Sequence, residues 1–195
     1  SKINYFAALT NVLNIIKPTK FRRLFAVNFL LYTALFGFFR SYPMYVVNEF
    51  HLNILQESYF IAWVSVPLIL ANMGVISWLS KKSTPRVLMS WSAIFLGLFL
   101  ILITIPGSKH ALWVTLFLAG SAGAICLPAI SAFISFKASD AMQGATLGNN
   151  NAVAVGAEAF SGVLAGLLAA VFIKLSLIAL GVIAIATGVY LTLNK

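Results

Sequence analysis

The run VLMSWSAIFLGLFLILITI at 87–105 holds no charged residue and no amide, and five comparable apolar runs share the chain with it. A helix crossing the hydrocarbon core of a membrane takes roughly 20 such residues. Inside lipid only helices or closed barrels satisfy every backbone N–H and C=O. Hydropathy places helical spans at about 21–47, 57–80, 86–106, 110–136, 143–170 and 174–194. The separators are Asn48–Gln56, Lys81–Pro85, Gly107–Lys109, Lys137–Met142 and Phe172–Lys174, all far shorter than a domain linker. Of 195 residues 61% are hydrophobic and 9% charged, which leaves too little polar material for a water-facing shell and excludes a soluble domain. The expectation is an all-α membrane protein with one six-helix domain over 21–195. Residues 1–20 stand apart. There Phe6, Leu9, Leu13 and Ile16 recur at helical spacing before Lys17-Pro18-Thr19-Lys20, which reads as an amphipathic juxtamembrane helix or a cytoplasmic linker.

The formal charge of +9 sets a direction. With the N-terminus placed in the cytoplasm, Lys2, Lys17, Lys20, Arg22, Arg23, Lys81, Lys82, Arg86, Lys137 and Lys195 fall on the inner side. Only Lys109 and Lys174 fall outside, beside an outer first loop with Glu49, His51 and Glu57. The positive-inside rule then puts both termini in the cytoplasm. A nucleic-acid partner is excluded because no soluble basic face exists to hold one. Cys126 is the single cysteine, so an internal disulfide or a Cys-based metal site is excluded. No Gly-rich phosphate loop ending in Lys-Ser/Thr appears, and His51 and His110, the two histidines, sit in short outer loops. No catalytic set, metal site or cofactor is expected, and the chain does not read as an enzyme.

The spans differ in polarity, and the difference repeats. Spans three and six are bland, whereas spans one, two, four and five carry Asn28 and Arg40, Pro67 and Asn72, Cys126 and Pro128, and Asn149, Asn150, Asn151 and Glu158. Polar groups in hydrocarbon are costly and turn toward a bundle interior or a water-filled cavity. The order is therefore lining, lining, lipid-facing, twice over, which suggests two three-helix units. Arg40, in FGFFRSYPMYV, lies about 26 Å along the helix from Arg23, and Glu158 about 24 Å from Met142. The two are expected at similar depth, within reach of a salt bridge. Hydrocarbon favours the protonated form of such an acid and a nearby arginine its ionised form, so the group can be toggled by protons. Arg40 also reads as a donor to an anionic or carbonyl-bearing substrate, or as an arginine snorkelling to the interface near Tyr42 and Tyr45. A constitutive structural ion pair is the plainer alternative. The three amides at 149–151 point about 100° apart, so one or two can reach substrate while the rest pack. Asn72 is their expected partner. Pro67 and Pro128 are expected to kink their helices as gates. The small residues of span five, Gly144, Gly148, Gly156, Gly162 and Gly166, read as close helix packing and as a surface that slides.

The segment Leu79-Ser80-Lys81-Lys82-Ser83-Thr84-Pro85-Arg86-Val87-Leu88 resembles the loop motif L-x-D-R-x-G-R-R-x-L of the major facilitator superfamily. Lys82 and Arg86 match it; Lys81 replaces the acid, Thr84 the glycine and Pro85 an arginine. The basic segment Lys17–Arg23 resembles the cytoplasmic linker that enters the seventh helix of those transporters. The resemblance covers roughly 17–195 and implies the C-terminal six-helix half, built from two inverted three-helix repeats. It implies secondary active transport of a small organic solute by alternating access, as a symporter or antiporter. The partners would be membrane lipid, substrate, protons and the N-terminal six-helix half of the same transporter. Arg40, Glu158, Asn72, Asn149, Asn150, Asn151, Tyr42 and Asn28 are the candidate substrate or coupling residues. An integral, multi-pass place in a bacterial inner membrane is expected. A nucleoside, amino acid, siderophore or lipophilic drug would suit the aromatics near Arg40 equally. The competing reading is a non-transporting six-helix module, or a channel assembled from identical halves.

Overall fold

A computed structural model describes residues 19–138 and 143–194, with side chains from residue 22 onward; the amphipathic stretch expected at 3–16 lies outside these residues. Every regular element among them is helical, and six helices are long and apolar enough to cross a membrane. They are α1 (Thr19–Phe50), α2 (Ile54–Lys82), α3 (Pro85–Ile103), α4 (Ala111–Lys137), α5 (Gln143–Val171) and α6 (Ile173–Leu193). Each matches one of the expected spans to within three residues at either end. α1 runs further than its apolar stretch, through Pro43 and on to Phe50, taking in Asn48 and Glu49 from the expected loop.

Short, well-capped turns join the helices. His51, with φ of 51°, adopts the left-handed conformation that ends α1. Asn53 then caps α2 in a capping box with Gln56. Thr84 accepts a hydrogen bond from the Val87 amide at 3.4 Å, and Pro85 opens α3 at its first position. Two of the three departures from the superfamily loop motif, Thr84 and Pro85, are thus the residues that start a helix. Arg86 donates through Nε at 3.0 Å and Nη2 at 2.6 Å to the Leu191 carbonyl, capping the last turn of α6.

Helix α2 is broken, but not at the expected residue. Pro67 is buried against α4, where a Cβ on Gly120 would lie 2.9 Å from the proline ring. The interruption comes seven residues later, in a π-helical turn at Ala71–Val75 where Gly74 takes φ 143° and ψ −16°. Glycine alone adopts that backbone without strain, so the hinge of α2 belongs to Gly74 rather than to Pro67. Pro128 lies within an uninterrupted α4.

The main helix contacts keep their pattern when the first three helices are exchanged with the last three, except that α5 packs on α6 while α2 barely touches α3. α1 packs on α5 and α6, α4 packs on α2 and α3, and α3 packs on α6. The α3–α6 contact is backbone-close: a Cβ on Gly97 would lie 2.3 Å from the Gly181 carbonyl oxygen, and one on Gly188 2.7 Å from that of Ser90. Trp91, Phe95 and Tyr190 nevertheless stay exposed on these helices. The glycines of α5 behave otherwise. Gly144, Gly148, Gly156 and Gly166 face open space, and only Gly162 meets another side chain, that of Arg40. The expectation of tight packing through the glycines of α5 is therefore corrected: the closest glycine-mediated backbone approach joins the two blandest spans. α2 and α5 are the least covered helices, with 22% and 17% of their most apolar windows buried, against 61% for α1.

This division predicts opposite responses to the same kind of substitution. Gly97→Val or Gly188→Val forces overpacking and should lower stability by about 1–3 kcal/mol or more. Gly156→Ala and Gly166→Ala, which meet nothing, should leave it unchanged within error. Thermal unfolding of the purified protein in detergent measures both.

Candidate functional site

The site lies along the seam between α1 and α5. On α5 the buried residues Thr146, Asn150, Ala157, Ser161 and Ala165 form one stripe at helical spacing. This stripe lets the two helices approach, because its residues are small or polar. Two polar rungs cross the seam at different heights, and they differ in solvent access.

The first rung is closed. Asn28, fully buried, donates through Nδ2 to Asn150 Oδ1 at 2.9 Å. Asn150, 2% exposed, donates in turn to the Tyr32 hydroxyl at 2.7 Å. The Asn28 Oδ1 is buried without a partner. An amide in hydrocarbon must find a partner, and the three side chains find one another across the helix pair. Asn72 was the expected partner of the 149–151 run, and that is corrected. It bonds within its own helix, Nδ2 to the Leu68 carbonyl at 2.7 Å, inside the distorted turn of α2. The 100° rule sorts the remaining amides: Asn149 is half-buried with an unpartnered Nδ2, while Asn151 is exposed. Tyr32 was not foreseen. Its signal was available, since it lies one turn beyond Asn28 on the same face of α1.

The second rung is open. Arg40 Nη2 lies 3.4 Å from Glu158 Oε1, and their side chains are 52% and 48% exposed. The two sit about 15 and 20 Å from the Phe50 and Val171 ends of their helices, inside both membrane-crossing segments. The expected approach of these groups is present. Arg40 also lies over Gly162, whose missing side chain gives the guanidinium room 3.4 Å from where a Cβ would stand. Asn151 precedes Glu158 by seven residues, so it lies on the same face of α5, two turns away. Phe29 and Phe160 meet at 5.5 Å across the same helix pair. Tyr42 does not reach this surface. It is 2% exposed, its ring tilted against Phe38 at 5.9 Å within the core, so its place among the substrate residues is corrected.

At the ends of the bundle the charges cap and brace. Lys82 lies 4.2 Å over the Trp78 ring, Lys81 is exposed, and Arg86 holds α6. Glu49, in the last turn of α1, pairs with Lys174 in the first turn of α6 at 2.5 Å. Each sits at the unfavourable end of its own helix dipole, and pairing offsets both penalties. That pair had no signature in spacing, because 125 positions separate the partners. Among the described residues no group of three or more His, Cys, Asp or Glu side chains is placed to hold a metal ion.

The closed rung predicts a specific non-additivity. Asn150→Leu strands the Asn28 amide and the Tyr32 hydroxyl and should cost about 1–3 kcal/mol. Asn28→Leu combined with Asn150→Leu should cost less than the sum of the single changes. A double-mutant cycle on unfolding in mixed micelles reads the coupling directly.

No curated protein sequence matched the chain. The family model described as Major Facilitator Superfamily matches residues 15–194, nearly the whole chain and all six helices. Six membrane-crossing helices, a polar seam open at mid-depth and this match agree with one another. The chain belongs to the Major Facilitator Superfamily, and is an integral multi-pass protein of that family of membrane transporters.

Proposed function

We propose that this chain is the C-terminal six-helix half of a secondary transporter that couples a small organic solute to protons by alternating access. The observation that carries this reading is the Arg40–Glu158 pair, two charges 3.4 Å apart at mid-depth, each about half open. Charges at that depth belong to a bundle interior or a water-filled path. Protonation of Glu158 releases the Arg40 guanidinium to engage an anionic or carbonyl-bearing group of the solute. Deprotonation restores the pair and expels that group. Asn151, exposed on the same face of α5, is the neutral contact along the path. Asn28 and Asn150 act by holding α1 and α5 in register rather than by touching solute.

The exchange symmetry of the helix contacts supports two inverted three-helix repeats, and the distribution of Lys and Arg supports cytoplasmic termini. The uncovered faces of α2 and α5 support a second six-helix half as their partner.

The test is transport by the full-length protein in proteoliposomes. Glu158→Gln should abolish accumulation driven by a proton gradient while solute exchange continues. Arg40→Gln should weaken solute binding by tenfold or more, since a charge-assisted bond is worth about 1.5–3 kcal/mol. Accumulation by Glu158→Gln at the wild-type level excludes the coupling role and leaves a structural ion pair.

A further inference from the structure

A groove of about 410 Å³ runs between α1 and α6 at the end of the bundle where α1 begins and α6 finishes. Its lining residues descend α1 and climb α6, with Arg23 and Tyr190 at the mouth and Leu30 about 10 Å deeper. Val27 and Thr187 form a buried floor. Ala26 and Ala186 are exposed, and their short side chains leave the groove open where longer ones would fill it.

Among the described residues nothing compensates the charge at the mouth. Among the described residues Arg23 has no ion-pair or hydrogen-bond partner. Glu49 is held by Lys174 and Glu158 by Arg40, while Glu57 lies in the first turn of α2, near the far end of α1. Asp140 lies outside the described residues. Arg23 stands in the early turns of α1, where the helix's own dipole is positive. The negative end of α6 is the nearest internal counter-charge, and Arg86 already occupies it at the Leu191 carbonyl. Lys81, Lys82 and Arg86, at the junction of α2 and α3, add to the positive potential of this end, which draws anionic headgroups. Tyr190 adds an amphipathic ring of the kind found at headgroup level.

We propose that this groove binds one anionic phospholipid, its phosphate on Arg23 beside the Tyr190 ring and an acyl chain along Val27, Thr187 and Leu30. The inference rests on the membrane-spanning fold and is independent of the transport reading. The groove has the size of a small-ligand site, is apolar along its length and carries its only charge at the mouth.

Native mass spectrometry of the purified full chain, in micelles with equal amounts of phosphatidylglycerol and phosphatidylcholine, tests it. The wild type should retain phosphatidylglycerol in preference. Arg23→Gln should lower the ratio of retained phosphatidylglycerol to phosphatidylcholine about fivefold, the weight of one cation near an anionic surface. Arg22→Gln, its exposed neighbour, should leave the ratio unchanged. Ala26→Leu and Ala186→Leu narrow the groove and should reduce retention of both lipids. Equal retention of the two lipids by the wild type overturns the proposal. So does an equal effect of Arg22→Gln and Arg23→Gln, which marks diffuse surface charge, or undiminished retention by the alanine variants.

Discussion

A polar side chain in hydrocarbon is costly unless something answers it, and the α1–α5 seam is arranged around that cost. Asn28, Tyr32 and Asn150 answer one another in a closed contact, whereas Arg40 and Glu158 answer one another in an open one. Moving from the first rung to the second takes 12 residues along α1 and eight along α5. The helices therefore run in the same direction, and the long Arg40 side chain makes up the difference in rise. The neutral rung involves no ionisable carboxylate or cation, so it fixes register without responding to protons. The charged rung is about half exposed, so the two contacts across the seam differ in burial as well as in charge.

Elsewhere the bundle divides into a closed back and an open front. Gly97, Gly181 and Gly188 bring α3 and α6 together until backbone meets backbone, which in lipid supplies dispersion contact where no hydrophobic drive exists between helices. α2 and α5 keep most of their surface uncovered, and four of the five glycines of α5 meet open space. α2 also contains the π-helical turn at Gly74, so the less covered side carries the backbone irregularity. Rigid packing and deformability are thus segregated to opposite faces.

The loop between α2 and α3 shows how a weakened motif can keep a structural task. The family pattern at 79–88 survives here chiefly in Lys82 and Arg86. Thr84 and Pro85 replace the expected glycine and arginine, and they start α3 by capping and by a preset φ. Arg86 then reaches across to the end of α6 and ties the two glycine-joined helices at their ends as well.

The sequence by itself determined the class of fold, the number and rough limits of the helices, and the shared depth of Arg40 and Glu158. These follow from hydropathy over about 20 residues and from the rise per residue, both local properties. Only the tertiary structure decided which amide pairs with which, that Tyr42 turns into the core, and that Asn72 bonds its own helix. It also decided that the working glycines lie in the plainest spans and that Glu49 meets Lys174. Each of these depends on helix rotation and on contacts between positions tens to more than a hundred residues apart. A helical repeat gives the faces of one helix but carries no information about which face a distant helix will meet.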